Sequence, residues 1–191
     1  WPGQPRIAAL IDQLGFEKFD QYADGDLLFE DDRGHVQRGR GFASMEGSWR
    51  LKDGLAAITD TLASKLSGAR TRLNAHVKTL TKTSAGITAT LSDGGDLTAD
   101  QAVLALPPRI AAEIAFSPPL PDTAVQAMQN VPTWMAGQAK AIAVYDTAFW
   151  RETGLSGDAS SRFGPMVEIH DASPADGGPY ALFGFIGVPP E

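Results

Sequence analysis

Cysteine is absent from the 191-residue chain. That excludes a disulfide framework, a thiolate metal site and a cysteine nucleophile, and it points towards a reducing, cytoplasmic setting. Long apolar runs are missing too. None approaches the roughly 18 residues that span a bilayer, and no basic-then-apolar leader opens the chain, so we expect no membrane partner. Positive charge is in deficit, with 16 Lys+Arg against 23 Asp+Glu and a formal net charge of −7. Without a net positive field to draw phosphates, a nucleic-acid partner is excluded. There is no Walker sequence, and Gly47-Ser48-Trp49 is not a nucleophile elbow. Gly39-Arg40-Gly41-Phe42-Ala43-Ser44 begins like a dinucleotide loop but ends in Ser, follows no buried strand and opens no apolar helix. It reads as a plain loop. An initiator Met is lacking as well. The start at Trp1-Pro2-Gly3 and the stop at Pro189-Pro190-Glu191 lead us to expect a piece of a longer polypeptide.

What is present is enough to fold: 43% of residues are hydrophobic, which excludes wholesale disorder. Ile7, Leu10, Ile11 and Leu14 fall at i, i+3, i+4 and i+7, an amphipathic helix with Pro5 in its first turn and Gly15 at its C-cap. Leu27–Phe29 and His35–Gln37 flank Asp31-Asp32-Arg33-Gly34 and predict a hairpin. Leu55, Ile58, Leu62 and Leu66 mark a second helix, ended by Gly68. From Arg72 the period becomes 2, and two alternating strands with turns at 84–86 and 93–95 form a β-meander. Ala102-Val103-Leu104-Ala105-Leu106 is apolar on both faces, as a central buried strand would be. A helix over 123–129 and strands over 137–145, 167–170 and 180–188 complete a mixed α+β pattern.

Among chemistry-bearing residues, Glu168 and His170 share a strand face. With no second pair nearby they fall short of a metal site, and with Asp171 they read either as a surface cluster or as groups that support a site from behind. We expect no metal. His35 reads as solvated, and His76 could face a core or a ligand. Lys140 is more telling. In Gly137-Gln138-Ala139-Lys140-Ala141-Ile142-Ala143-Val144-Tyr145 it shares a face with Ile142 and Val144. A lysine there must reach water or a partner, either as an edge-strand gatekeeper or by lining a cavity.

Pro132 to Tyr145, followed by Phe149-Trp150, resembles the lysine-bearing strand of the flavin-containing amine oxidases. Ala102 to Pro108 is similar to that family's strand ending in a proline pair. Phe116-Ser117-Pro118-Pro119-Leu120-Pro121 is similar to the proline-rich stretch after that strand, and Ser48 to Leu55 to the segment before the meander. Trp1-Pro2-Gly3 resembles the stretch just after the family's first flavin-binding segment, so the likeness runs over nearly the whole chain.

The resemblance implies an FAD-dependent oxidoreductase that removes a hydride from the carbon beside an amine. The imine then hydrolyses and dioxygen reoxidises the flavin. Segments 1–48 and 109–191 would belong to the substrate domain and 49–108 to the FAD domain. By the same likeness the Val77 backbone contacts the adenine end of FAD and Lys140 holds a water near flavin N5. Arg50 is a candidate for meeting a substrate carboxylate or a flavin-side group, or for a helix-flanking charge, and Trp49 and Trp134 are candidates for cavity walls or core. Phe149-Trp150 reads as a packing anchor. The family's Gly-rich phosphate fingerprint and its C-terminal aromatic segment are absent, as is the long helical insertion of larger relatives between Gly39 and Trp49. The chain alone is therefore expected to hold FAD weakly or not at all, and to expose apolar surface through which a homodimer could form. Two other readings stand beside this one: a flavoprotein desaturase or dehydrogenase on the same scaffold, and a non-catalytic α+β binding module.

Overall fold

The computed structural model describes residues 1, 3–41, 43–133 and 137–187. They form two compact units, Trp1–Ser67 with Gly137–Glu191, and Gly68–Ala136. The first unit opens with α1 (Pro5–Leu14), β1 (Lys18–Asp20), β2 (Asp26–Glu30), β3 (Val36–Gly39), β4 (Trp49–Leu51) and α2 (Ala56–Ser64). The second unit holds β5 (Val77–Thr83), β6 (Gly86–Leu91), β7 (Asp96–Ala99), α3 (Pro108–Ala111), β8 (Ala115–Ser117) and α4 (Asp122–Asn130). The chain then returns to the first unit as β9 (Ala139–Tyr145), α5 (Phe149–Glu152), β10 (Leu155–Ser161), β11 (Met166–Asp171) and β12 (Tyr180–Ile186). The fold is mixed α+β, and among the described residues no helix is long and apolar enough to cross a membrane.

In the first unit the apolar stripe of α1 works as its spacing predicts. Ile11 packs with Leu51 and with Ile58 of α2, flanked by Leu10, Leu14 and Phe16. Burying each such side chain stabilises by about 1.5–3 kcal/mol. Gly15 ends the helix in the left-handed region, at φ 77, where its N–H meets the orphan carbonyls of the last turn. Helix α2 thus packs on α1 in this unit. Here too lies a six-stranded sheet in the order β3-β2-β10-β11-β12-β9, with β9 at one edge.

The register of that sheet sets what its faces carry. Lys140 lies opposite Phe185, Phe185 opposite Glu168, and Glu168 opposite Ser160. Directly paired residues project to the same side, so these four form one cross-strand row. Ile142, Phe183 and His170 form the next row on the same face. Strand β10 was not expected from its sequence. It pairs parallel to β2 with a register break between Leu155 and Ala159, and Gly157 sits inside the break at φ +85. This bulge lets the short polar side chains Ser156 and Asp158 turn inward and be buried.

The second unit is a four-stranded sheet in the order β7-β6-β5-β8. The meander forms as expected, except that its third strand is β7. The apolar run 102–106, expected as a central strand, pairs with no strand among the described residues, and Val103 is 92% exposed. Its pattern is that of a strand buried on both faces, but among the described residues no strand pairs with it, and Ala102 and Leu104 instead line a cavity with Leu80, Ile87 and Phe116.

Candidate functional site

A cavity of about 530 Å³ opens in the first unit. Its apolar wall includes Ile7, Ile11, Leu51 and Phe183, while Gln21, Arg50 and Asp171 supply polar groups. Trp49 and Arg50, two of the residues singled out by sequence, both line it. They are held by β4, whose short antiparallel pairing with β1 sets Arg50 opposite Phe19. The Arg50 guanidinium lies 5.2 Å over that ring and donates to the carbonyls of Ser173 at 2.6 Å and Ala172 at 3.0 Å. Burial, with Arg151 adding to it and Asp171 opposing, lowers its pKa. Two of its five N–H donors hold the 172–173 backbone, so the geometry makes Arg50 a strut of the cavity wall.

Asp171 anchors that strut. Expected in a surface cluster, its side chain is instead fully buried. Its Oδ2 accepts from Trp150 Nε1 at 2.8 Å and from Arg151 Nε at 2.8 Å, with Arg151 Nη2 also at 2.8 Å. Its Oδ1 accepts from the Ser173 amide at 2.8 Å. Burial pushes this carboxyl up, but Arg151, the Ser173 amide and Trp150 more than offset it and hold it below the ordinary carboxylate range. Trp150 is buried, so the anchor expected of Phe149-Trp150 lies in the tryptophan, while Phe149 stays exposed.

A second polar cluster corrects the surface reading of its neighbours. His170 is buried, with Nδ1 2.6 Å from Asp158 Oδ1 and Nε2 2.8 Å from Glu168 Oε1. Ser44 Oγ donates to the same Glu168 oxygen. These groups line a smaller cavity of about 280 Å³. Among the described residues no group of three or more His, Asp and Glu side chains is placed to hold a metal ion.

Lys140 sits on the edge strand β9, its Nζ 5.0 Å over the Phe185 ring. It shares its face with Ile142 and Val144, 68% and 63% exposed, as alternation predicts, and lines neither of the two cavities. In the second unit Val77 opens β5 opposite Leu91. The parallel partner β8 pairs only from Thr79, so among the described residues no strand pairs with β5 on that side at Val77. Trp134 lies outside the described residues. His35 is exposed, its ring 3.0 Å from Asp31. Sequence reasoning missed Asp158, Ser44 and Gln21. All three sit in polar or glycine-rich stretches with no periodic signal, and it is the antiparallel pairing of β10 with β11 that brings Asp158 to His170.

The family described as flavin containing amine oxidoreductase matches residues 10–190, and the chain belongs to that family of oxidoreductases. A Mycobacterium tuberculosis protein named as a flavin-containing monoamine oxidase, AofH, is 39% identical over 138 residues, 72% of this chain and 29% of that protein. The putrescine oxidase of Kocuria rosea is 30% identical over 132 residues, 64% of this chain and 27% of that protein. The solved structure of putrescine oxidase bound to putrescine is similar at a TM-score of 0.82 and 19% identity, over 97% of this chain and 62% of that one, a likeness of fold. The match thus spans under a third of the length of these curated relatives.

Proposed function

We propose that the protein carrying this chain oxidises a small amine or amino acid with FAD, and that Lys140 works at the flavin. The observation that carries this is the Lys140 face of β9: an ammonium flanked by Ile142 and Val144, aligned with Phe185, and open. Three such residues left uncovered on one strand are what the wall of a cofactor cavity looks like from inside.

The residues fit FAD in part. At Val77 the side of β5 that pairs with no strand among the described residues leaves backbone to meet the adenine end, and Lys140 would lie near the ring. Segment 49–108 would belong to the FAD side and the flanking segments to the substrate side. When bound, FAD would supply the acceptor for the hydride leaving the amine's α-carbon, with dioxygen taking the electrons onward. The Lys140 ammonium would hold a water in place, and the aromatic residue beside it would help keep bulk solvent out. Trp49 and Arg50 would shape one wall, Arg50 chiefly by fixing the backbone at 172–173.

In the complete protein, Lys140→Met is expected to slow anaerobic flavin reduction by amines by about 10²-fold, the usual scale for removing one positioned polar group. Undiminished reduction would reject the role of Lys140, and no peroxide from any amine or amino acid in a panel would reject the activity. The 191-residue chain by itself has no strand–Gly-x-Gly-x-x-Gly–helix unit to cradle a pyrophosphate. It is expected to purify colourless, and a flavin absorbance spectrum travelling with it would overturn that.

A further inference from the structure

The loop segment 43–48, which leads into β4, is tied to the sheet through Ser44, Glu168, His170 and Asp158 in series. Both ring nitrogens of His170 face carboxylate oxygens, which only accept. Only the doubly protonated ring can donate to both. The two carboxylates are not equivalent. Asp158 is buried, and its Oδ2 has no hydrogen-bond partner among the described residues, so the imidazole N–H at Oδ1 is its side chain's one bond. The Glu168 side chain is 41% exposed and can turn to water.

We propose that His170 is a proton-operated clasp on this loop. Protonated, it pins Glu168, and through it Ser44, against the sheet; on losing a proton it keeps the remaining one for Asp158 and lets Glu168 and the loop go. The loop runs directly into β4: the Ser48 carbonyl accepts from the Gln21 amide at 2.9 Å, and Trp49 and Arg50 come next in the chain. Met45, Trp49 and Arg50 all line the larger cavity, so the clasp sets the position of one of its walls. His170 is thus a positioning residue.

The titratable groups facing the ring are Asp158 from β10 and Glu168 from β11, while β12 presents Phe183, 5.2 Å from the ring centre, and the loop presents the neutral Ser44. Burial lowers the proton affinity of His170, but the two carboxylates outweigh it and raise the pKa above the ordinary histidine value. A raised folded-state pKa gives stability that is complete below the unfolded value and lost as pH rises through the folded one. Release therefore lies on the alkaline side.

The test is hydrogen exchange of the Glu46 and Ser48 amides, which bond within the loop to the Ala43 and Met45 carbonyls. It is run on the full chain between about pH 6 and about pH 10, with a parallel NMR titration of the His170 ring. Corrected for intrinsic rates, protection of both amides is expected to fall about tenfold as His170 loses its proton, the scale of one charge-assisted hydrogen bond. Ser44→Ala should give the low protection at every pH while His170 still titrates high. His170→Gln should give it at every pH with no transition. Protection in the unmodified chain that does not change across the titration of His170, or that Ser44→Ala leaves high, overturns the clasp. Because the unmodified chain and Ser44→Ala suffice, failure of His170→Gln to fold does not prevent a decision.

Discussion

Asp171→Asn is expected to destabilise the first unit by roughly 3 kcal/mol, read as a fall in the urea midpoint followed by tryptophan fluorescence. The carboxylate accepts from Trp150, Arg151 and the Ser173 amide, with donors at both oxygens. An asparagine amide of the same shape cannot satisfy them. In one orientation its NH₂ faces Trp150 Nε1 and Arg151; flipped, it faces the Ser173 N–H. Removing one partner of a buried pair costs about 3–5 kcal/mol, because the other charge is left without compensation. Arg151 is 26% exposed and can reach some water, which places the value at the lower end of that range.

The loss also reaches the candidate site, since Arg50 grips the carbonyls of Ala172 and Ser173, the two residues directly after Asp171. The pH dependence has a definite sign. The folded-state pKa of Asp171 is depressed, so its contribution is present above the ordinary carboxylate range and fades as pH falls through its folded value. The gap between the variant and the parent should therefore close in acid. A gap that stays constant to the lowest pH at which both fold would show that the ionised form contributes nothing.

How much of this was legible beforehand depends on whether the information is local. Helix α1, the β2–β3 hairpin, the β5–β6 pair and β9 each have a period that the sequence displays, and each formed where its residues indicated. The alternation around Lys140 likewise placed it correctly beside Ile142 and Val144. Strand β10 is different. Leu155 to Ser161 has no apolar alternation, and it becomes a central strand only because β2 and β11 accept its backbone on either side.

The same limit explains the opposite error at 102–106. An apolar pattern says what would stabilise a segment, not whether a neighbour is there to supply it, and here Val103 stays exposed. His170 and Asp171 read as surface residues because charged groups seldom go inside alone. Their partners Asp158, Trp150 and Arg151 are distant enough in sequence that nothing near 170 announces them. Trp49 and Arg50 were found through family likeness, and the fold supplied the fact that both border one cavity.

Gly25→Ala is expected to be as damaging as Asp171→Asn, again roughly 3 kcal/mol, by a mechanism with no charge in it. Gly25 has φ +119, a region L-residues rarely enter. An added Cβ would stand 2.6 Å from the Gly154 carbonyl oxygen and 2.9 Å from backbone atoms of Leu155 and Ser156. Those atoms are backbone, so no side chain can swing aside. The strands themselves must part where β2 meets β10, which would weaken the Asp26 amide bond to Gly154 at 3.0 Å and the Ser156 hydroxyl bond to the Asp26 carbonyl at 3.2 Å. Strain of this kind costs about 1–3 kcal/mol, and each lost hydrogen bond about 0.5–1.5 kcal/mol more. Gly177→Ala separates the two parts: its φ is +76, but no atom lies within 4 Å of the new Cβ, so it should lose only about 1–2 kcal/mol. Because β10 carries Asp158, forcing it away from β2 should also move the His170 titration back towards the ordinary histidine value. Equal losses in Gly25→Ala and Gly177→Ala, with His170 unmoved, would mean that the close approach of β2 to β10 at this glycine does not constrain the sheet.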